Sequence, residues 1–270
     1  MEKRLNIIVK EIKERIFYEP DIAIILGSGL GKFADLIENK IEIPYEELTG
    51  MPVSTVKGHS GMFIFGKVAG KSIVAMKGRF HLYEGYSAKE VTMPIYLFKL
   101  LGVKSLLVTN ASGAVNSKIK PGDLMIINDH INLTGKNPLV GGAMVDYGVR
   151  FVDMTHAYDK EYIKLINQIA QQQNLAIKNG IYIQFMGPTY ETPAEVKMAR
   201  VLGADTVGMS TTVEVIAGVQ CGLRVAGISA VANMASGILD KPLNHKEVLE
   251  VMGEVEDKFT KLVLEFLSRI

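Results

Sequence analysis

The sequence predicts an α/β fold, with a central mixed, twisted β-sheet flanked by helices and built as a single domain over residues 1–270. Three observations predict it. Short β-rich apolar runs alternate with stretches whose apolar residues recur at helical spacing. No composition break, linker or internal repeat divides the chain. Small polar residues follow several of the apolar runs, where sheets of this class bind ligands.

Element by element, DIAIILGSGLG (Asp21 to Gly31) reads as a buried strand, a tight turn and a helix start, with apolar periodicity through Phe33 and Leu36. Met62 to Gly78 holds two β-rich runs around Ala69-Gly70-Lys71, a hairpin. A helix over Ala88 to Leu101 leads into the strand KSLLVTNASG, and GDLMIINDHIN adds another. Thr134 to His156 is rich in Gly, Asn, Asp and Pro, an irregular stretch of the kind that often carries function. Beyond it come a helix (Asp159 to Asn174), a strand (Gly180 to Phe185), a helix opened by Pro193 and a short strand near Val207. A helix from Val213 to Cys221, a strand from Leu223 to Val231 and an amphipathic helix from Lys246 to Ser268 complete the pattern.

Composition narrows the function classes. The chain is 48% hydrophobic and 22% charged, and 30 Lys and Arg against 29 Asp and Glu leave a net charge of +1. That balance offers nucleic acid no polycationic face and supplies no acidic tail. Apolar runs stop short of the roughly 18 residues a membrane helix needs, and Met1 to Arg15 is too charged for a signal sequence, so a soluble cytoplasmic chain is expected. The single cysteine, Cys221, excludes an intramolecular disulfide and every multi-Cys zinc site. The five histidines show no HExxH or close pairing, and no serine lies in GxSxG, so neither a metal site nor a hydrolase elbow is expected.

Several motifs carry chemistry, each beside a plainer alternative. GSGLG fails the dinucleotide fingerprint because Lys32 stands where a glycine is needed; it is a phosphate cradle built on Ser28 and backbone N–H groups, or a simple turn. GKS at Gly70 to Ser72 is no P-loop, since Phe65 replaces the required glycine. In KGRFHLYEGY an extended backbone would put Arg79, His81 and Tyr83 on one face, suited to an oxyanion and a hydroxylated ligand; otherwise it is a solvated edge. TNASG and GPTYETPAE end strands, and Glu191 sits at the mouth or complements a helix dipole. Met209 and Ser210 are cleft residues, or core filler and a helix cap; Asn233 is a cleft amide or a turn residue. Five strand ends carrying polar residues together imply one cleft.

In this order, GSGLG, GHSG, KGRFHLYEGY, VTNASG, GPTYETPAE, VGMST and GISAVAN resemble the trimeric, 6-oxopurine type of purine nucleoside phosphorylase, from about Ile22 to the C-terminal helix. The resemblance implies a nucleoside phosphorylase-like domain. It assigns phosphate contacts to Ser28, His59, Arg79, His81 and Ser210, and to the strand end at Asn110 and Ala111. It places Tyr83 and Met209 at the ribose, His245 at the 5′-hydroxyl, Tyr190 and Glu191 at the purine, and Asn233 at N7. It further implies a homotrimer in which Tyr147 reaches the neighbouring subunit's ribose. Phosphate is a co-substrate, with no cofactor or metal, and no nucleic acid or membrane partner. Three departures bear on base preference: Ala232 for Thr or Ser, Ser112 for a second Ala, and Thr212-Val213 for Val-Pro. The implied reaction is phosphorolysis of inosine and guanosine, or of their deoxy forms. A methylthioadenosine phosphorylase, a hydrolytic nucleosidase and a nucleoside-sensing protein are the competing readings.

Overall fold

The computed structural model describes residues 1–53, 61–141, 145–240 and 245–270, apart from the side chains of residues 145 and 245–249. Strand β1 (Ile22–Leu26) is buried along its whole length, as an apolar run between parallel neighbours must be. It lies parallel to β4 (Lys71–Lys77) on one side and β5 (Ser105–Ala114) on the other. β3 (Met62–Val68) and β4 form the expected hairpin, whose register ends at Val68 opposite Lys71. Ala69 and Gly70 alone make the turn, both with positive φ (51° and 79°), the pair of left-handed residues that a tight hairpin of this twist demands.

The remaining elements are β6 (Leu124–Asn132), α4 (Lys160–Gln172), β7 (Ile177–Gln184), α5 (Pro193–Val201), β8 (Thr206–Gly208), α6 (Thr212–Gln220), β9 (Arg224–Met234) and α7 (His245–Arg269). Between residues 134 and 156 the described residues hold turns and a short 3₁₀ segment, Val145–Tyr147, as the composition of that stretch implies.

Four elements depart from expectation. α1 (Glu2–Lys13) was hidden by its charges, although Leu5, Ile8 and Ile12 recur at helical spacing and are buried. After GSGLG the chain makes a 3₁₀ turn (Gly31–Leu36) rather than an α-helix, because the residues that follow enter the sheet as edge strand β2 (Glu38–Pro44). The predicted helix Ala88 to Leu101 is two helices, α2 (Ala88–Val91) and α3 (Met93–Leu100). Pro94 lacks the N–H to continue one helix through and instead serves as an early residue of the next. KGRFHLYEGY is extended only as far as His81 and then tightens into a 3₁₀ turn over Leu82–Glu84.

One nine-stranded sheet runs in the order β2, β3, β4, β1, β5, β8, β7, β6, β9, and β9 pairs again with β5. The last five strands therefore close into a ring. Alternation along the strands divides the core: Ala23 and Ile25 of β1 face a cluster with α1, α3 and α6, while Ile22, Ile24 and Leu26 face α4 and α7. Among the described residues no helix is long and apolar enough to cross a membrane.

Candidate active site

The cleft opens where β1, β5, β8 and β9 end and where the segments after β4 and β7 arrive. Ser28 comes from the turn after β1. That turn rests directly on β5, because a Cβ on Gly27 would lie 2.7 Å from the Asn110 Cα. The Gly27 N–H donates to Thr109 Oγ1 at 2.9 Å, and Thr109 Oγ1 donates to Ile25 O at 2.8 Å. Glycine is thus required for close approach rather than for dinucleotide binding.

Arg79 is 2% exposed, which removes the solvated-edge alternative. Its Nε and Nη2 donate to the two carboxylate oxygens of Glu214 at 3.2 and 3.0 Å, and its Nη1 donates to Thr109 O at 2.7 Å and Ser210 Oγ at 3.0 Å. These bonds engage four of the five guanidinium donors. Burial pushes the Glu214 carboxyl above its ordinary value, and Arg79 pulls it back only in part. His81 is held by Glu84, whose Oε1 accepts the His81 backbone N–H at 2.8 Å and lies 2.9 Å from Nδ1. The imidazole stacks on Tyr83 with centroids 4.5 Å apart. The turn over Leu82–Glu84 delivers this stack while Phe80 and Leu82 go into the core. Burial raises the Tyr83 phenol to about 12, so it is protonated at neutral pH.

Tyr190, Glu191, Met209, Asn233 and Ala111 line the same cleft. Glu191 is 7% exposed. It is not needed as a helix-dipole carboxylate, since Thr192 and Glu195 form the capping box of α5. Burial raises its carboxyl from the ordinary value, and nearby Glu195 adds to the shift. Asn233 donates through Nδ2 to Met234 O at 2.8 Å. Ala232 and Ser112, two of the departures noted in the sequence, also line the cleft.

Eleven residues singled out in the sequence therefore meet in one cleft. Tyr147 does not line it; its ring packs on Tyr96 at 5.4 Å. His59 lies outside the described residues, and His245 is described only as the backbone residue that opens α7. Sequence reading missed Glu214 and Glu84, which hold Arg79 and His81. The first had a signal: it is a lone charge in the apolar run TVEVIAGV. The second lies three residues after His81 inside the motif already singled out. Among the described residues no group of three His, Cys, Asp or Glu side chains is arranged to hold a metal ion.

Residues 21–268 match the family model of the Phosphorylase superfamily. Purine nucleoside phosphorylase 1 of Bacillus subtilis is 51% identical over 269 residues, covering 100% of this chain and 99% of that protein. The crystal structure of Schistosoma mansoni purine nucleoside phosphorylase in complex with inosine superposes with a TM-score of 0.94 at 39% identity, over 99% of this chain and 96% of the other. A purine nucleoside phosphorylase in complex with ribose-1-phosphate gives a TM-score of 0.89 at 38% identity, over 99% and 97%.

Proposed function

The chain belongs to the phosphorylase superfamily, and from that premise we propose that it catalyses phosphorolysis of purine ribo- and deoxyribonucleosides, mainly inosine and guanosine, to the free base and (deoxy)ribose 1-phosphate. It is a pentosyltransferase with inorganic phosphate as co-substrate, and the scheme uses no cofactor. One observation carries the reading: Ser28, Arg79, His81 and Ser210 line one cleft together with Glu191 and Asn233.

Cleavage of the ribosyl C–N bond develops a sugar cation and a purine anion, so catalysis consists of stabilising both charges where they form. Arg79 reaches the anion end already paired with Glu214. Phosphate is then held mainly by directed hydrogen bonds, and its own negative charge stays available to the oxocarbenium before capturing it. Asn233 acts on N7 of the leaving base. An ionised Glu191 accepts from N1–H and a 2-amino group, which 6-oxopurines offer wholly or in part and adenine does not. His59 and His245 keep the roles the family pattern gives them, at the phosphate and the 5′-hydroxyl.

Base release from a nucleoside panel, with and without phosphate, tests the reading. Inosine should yield hypoxanthine and ribose 1-phosphate only when phosphate is present. Equal turnover in phosphate-free buffer would reassign the enzyme to hydrolysis, and preference for methylthioadenosine would place a protonated Glu191 against adenine N1.

The active unit is a cytoplasmic homotrimer of single-domain subunits, with each cleft completed by Tyr147 of a neighbour. Support comes from the anchoring of Tyr147 away from its own cleft. Gly148 packs so tightly on the Gln220 backbone that no Cβ would fit. Val140, Val149 and Phe151 are 70%, 65% and 88% exposed, apolar side chains that a neighbouring subunit could cover. Cyclic assembly lets every subunit give and receive one ring. Co-expression of Arg79→Ala and Tyr147→Ala chains, each severely impaired alone, should restore activity in mixed trimers. Verified mixed trimers without activity, or a fully active monomer in sedimentation, would remove the shared site.

A further inference from the structure

Between Ser210 and α6 the backbone makes an unusual bend. Thr211 has φ 88° and ψ −52°, and the Thr212 N–H reaches back to Ser210 O at 3.2 Å. This is a γ-turn of the strained, positive-φ kind, centred on a β-branched residue that rarely tolerates it. Strain of this sort persists only where the surroundings over-determine it, and it concentrates at functional sites. Here the surroundings do so. Thr211 Oγ1 accepts from Asn110 Nδ2 at 3.0 Å, and the Thr212 N–H and hydroxyl both donate to Gln184 Oε1 at 2.8 and 2.5 Å.

These groups belong to one network. Ser229 Oγ lies 2.7 Å from both Asn110 Oδ1 and Ser112 Oγ and has one proton to give them. Thr211 Oγ1 lies 3.1 Å from Ser210 Oγ, where either hydroxyl can donate, and Ser210 Oγ also accepts from Arg79 Nη1 at 3.0 Å. When Thr211 is the donor of that pair, Ser210 has its own proton left for the cleft.

We propose that Thr211 is a positioning residue, whose strained turn and polarised hydroxyl aim the Ser210 proton and the Arg79 guanidinium at bound phosphate. The inference rests on the phosphorolytic reading and adds to it a hydrogen-bond chain that links Ser112 to Ser210 and Arg79. Ser229, which does not line the cleft, belongs to the same chain as a second positioning residue.

The test is calorimetric titration with inorganic phosphate, with steady-state KM for phosphate and for inosine measured alongside. Thr211→Gly accepts the backbone angle without strain and removes the hydroxyl. Its phosphate Kd and KM should rise about 10- to 100-fold, the scale of one hydrogen bond to a charged group, while KM for inosine changes less than about twofold. Thr211→Ser should retain phosphate binding within about threefold, and Ser229→Ala should weaken it by several-fold without affecting KM for inosine. Unchanged phosphate binding in Thr211→Gly overturns the proposal, as does Thr211→Ser behaving like Thr211→Gly. If Thr211→Gly fails to fold, Ser229→Ala decides, and wild-type phosphate binding in that variant counts against the chain. A wild-type protein that binds no phosphate would overturn the phosphorolytic reading itself, whereas wild-type binding with an indifferent Thr211→Gly overturns only the positioning role.

Discussion

Replacing Asn233 by Ala is expected to lower kcat about 10²–10³-fold with phosphate affinity close to wild type, the scale of one transition-state donor. Asn233 lies in the last turn-ward residues of β9, half-buried, with its amide already tied to Met234 O at 2.8 Å. A pinned amide loses little freedom when substrate arrives, so it is organised before charge develops. In the bound nucleoside N7 is neutral and gains little from a donor, but as the glycosidic bond breaks it carries part of the purine's negative charge. The interaction therefore strengthens along the reaction and acts on kcat more than on KM. Steady-state kinetics on inosine measures it; a variant within threefold of wild type would show that the leaving base is stabilised from elsewhere.

Arg79→Ala is expected to abolish detectable phosphate-dependent turnover and to cost about 3–5 kcal/mol of stability, because it leaves the Glu214 carboxylate buried without its cation. Both side chains of the pair are 2% exposed, so solvent does not screen the loss. The two effects separate in a double variant. Arg79→Met with Glu214→Leu replaces the pair by apolar groups, an exchange that is often neutral or stabilising, and it should recover most of the stability and none of the activity. Denaturant unfolding at fixed protein concentration reads the first quantity and turnover the second. The single variant should also depend on pH. Burial holds the Glu214 carboxyl above its ordinary value even beside Arg79, and without the cation the folded state favours the protonated form more strongly. The deficit should grow as pH rises above the unfolded carboxyl's range and narrow as pH falls toward it. A pH-independent deficit, or a double variant no more stable than Arg79→Ala, would mean that the loss comes from packing.

The site was more legible in the sequence than its supports. Ser28, Asn110, Ser210 and Asn233 each follow an apolar run, so local pattern and the rule that ligands gather at strand ends were enough to bring them together. Glu214 could be noticed as a charge in an apolar helix, but its partner is 135 residues away in sequence, and no local pattern encodes that meeting. The turn at Thr211 was invisible for a related reason. Sequence suggests positive φ through Gly or Asn, whereas here Asn110 and Gln184 impose it on a residue that disfavours it. In the fold, buried strands with continuous apolar runs were readable. Edge strand β2 was not, because its exposed half shows charge rather than clear alternation, and α1 carries its apolar stripe beneath many Lys and Glu side chains.

The ring formed by β5, β8, β7, β6 and β9 has a consequence for the order in which the enzyme comes into being. Its closing strand, β9, is also the last strand among the described residues, and it must find β5 119 residues behind it and β6 on its other side. On a ribosome, which releases the N-terminal part first, the strands β1 to β5 can pair while the rest is still being made, bringing Ser28, Arg79 and the Asn110 strand end close together. The half of the cleft that faces the anion can thus take shape early. Asn233 arrives on the strand that seals the ring, so a nascent chain acquires its leaving-group donor only when its sheet is finished.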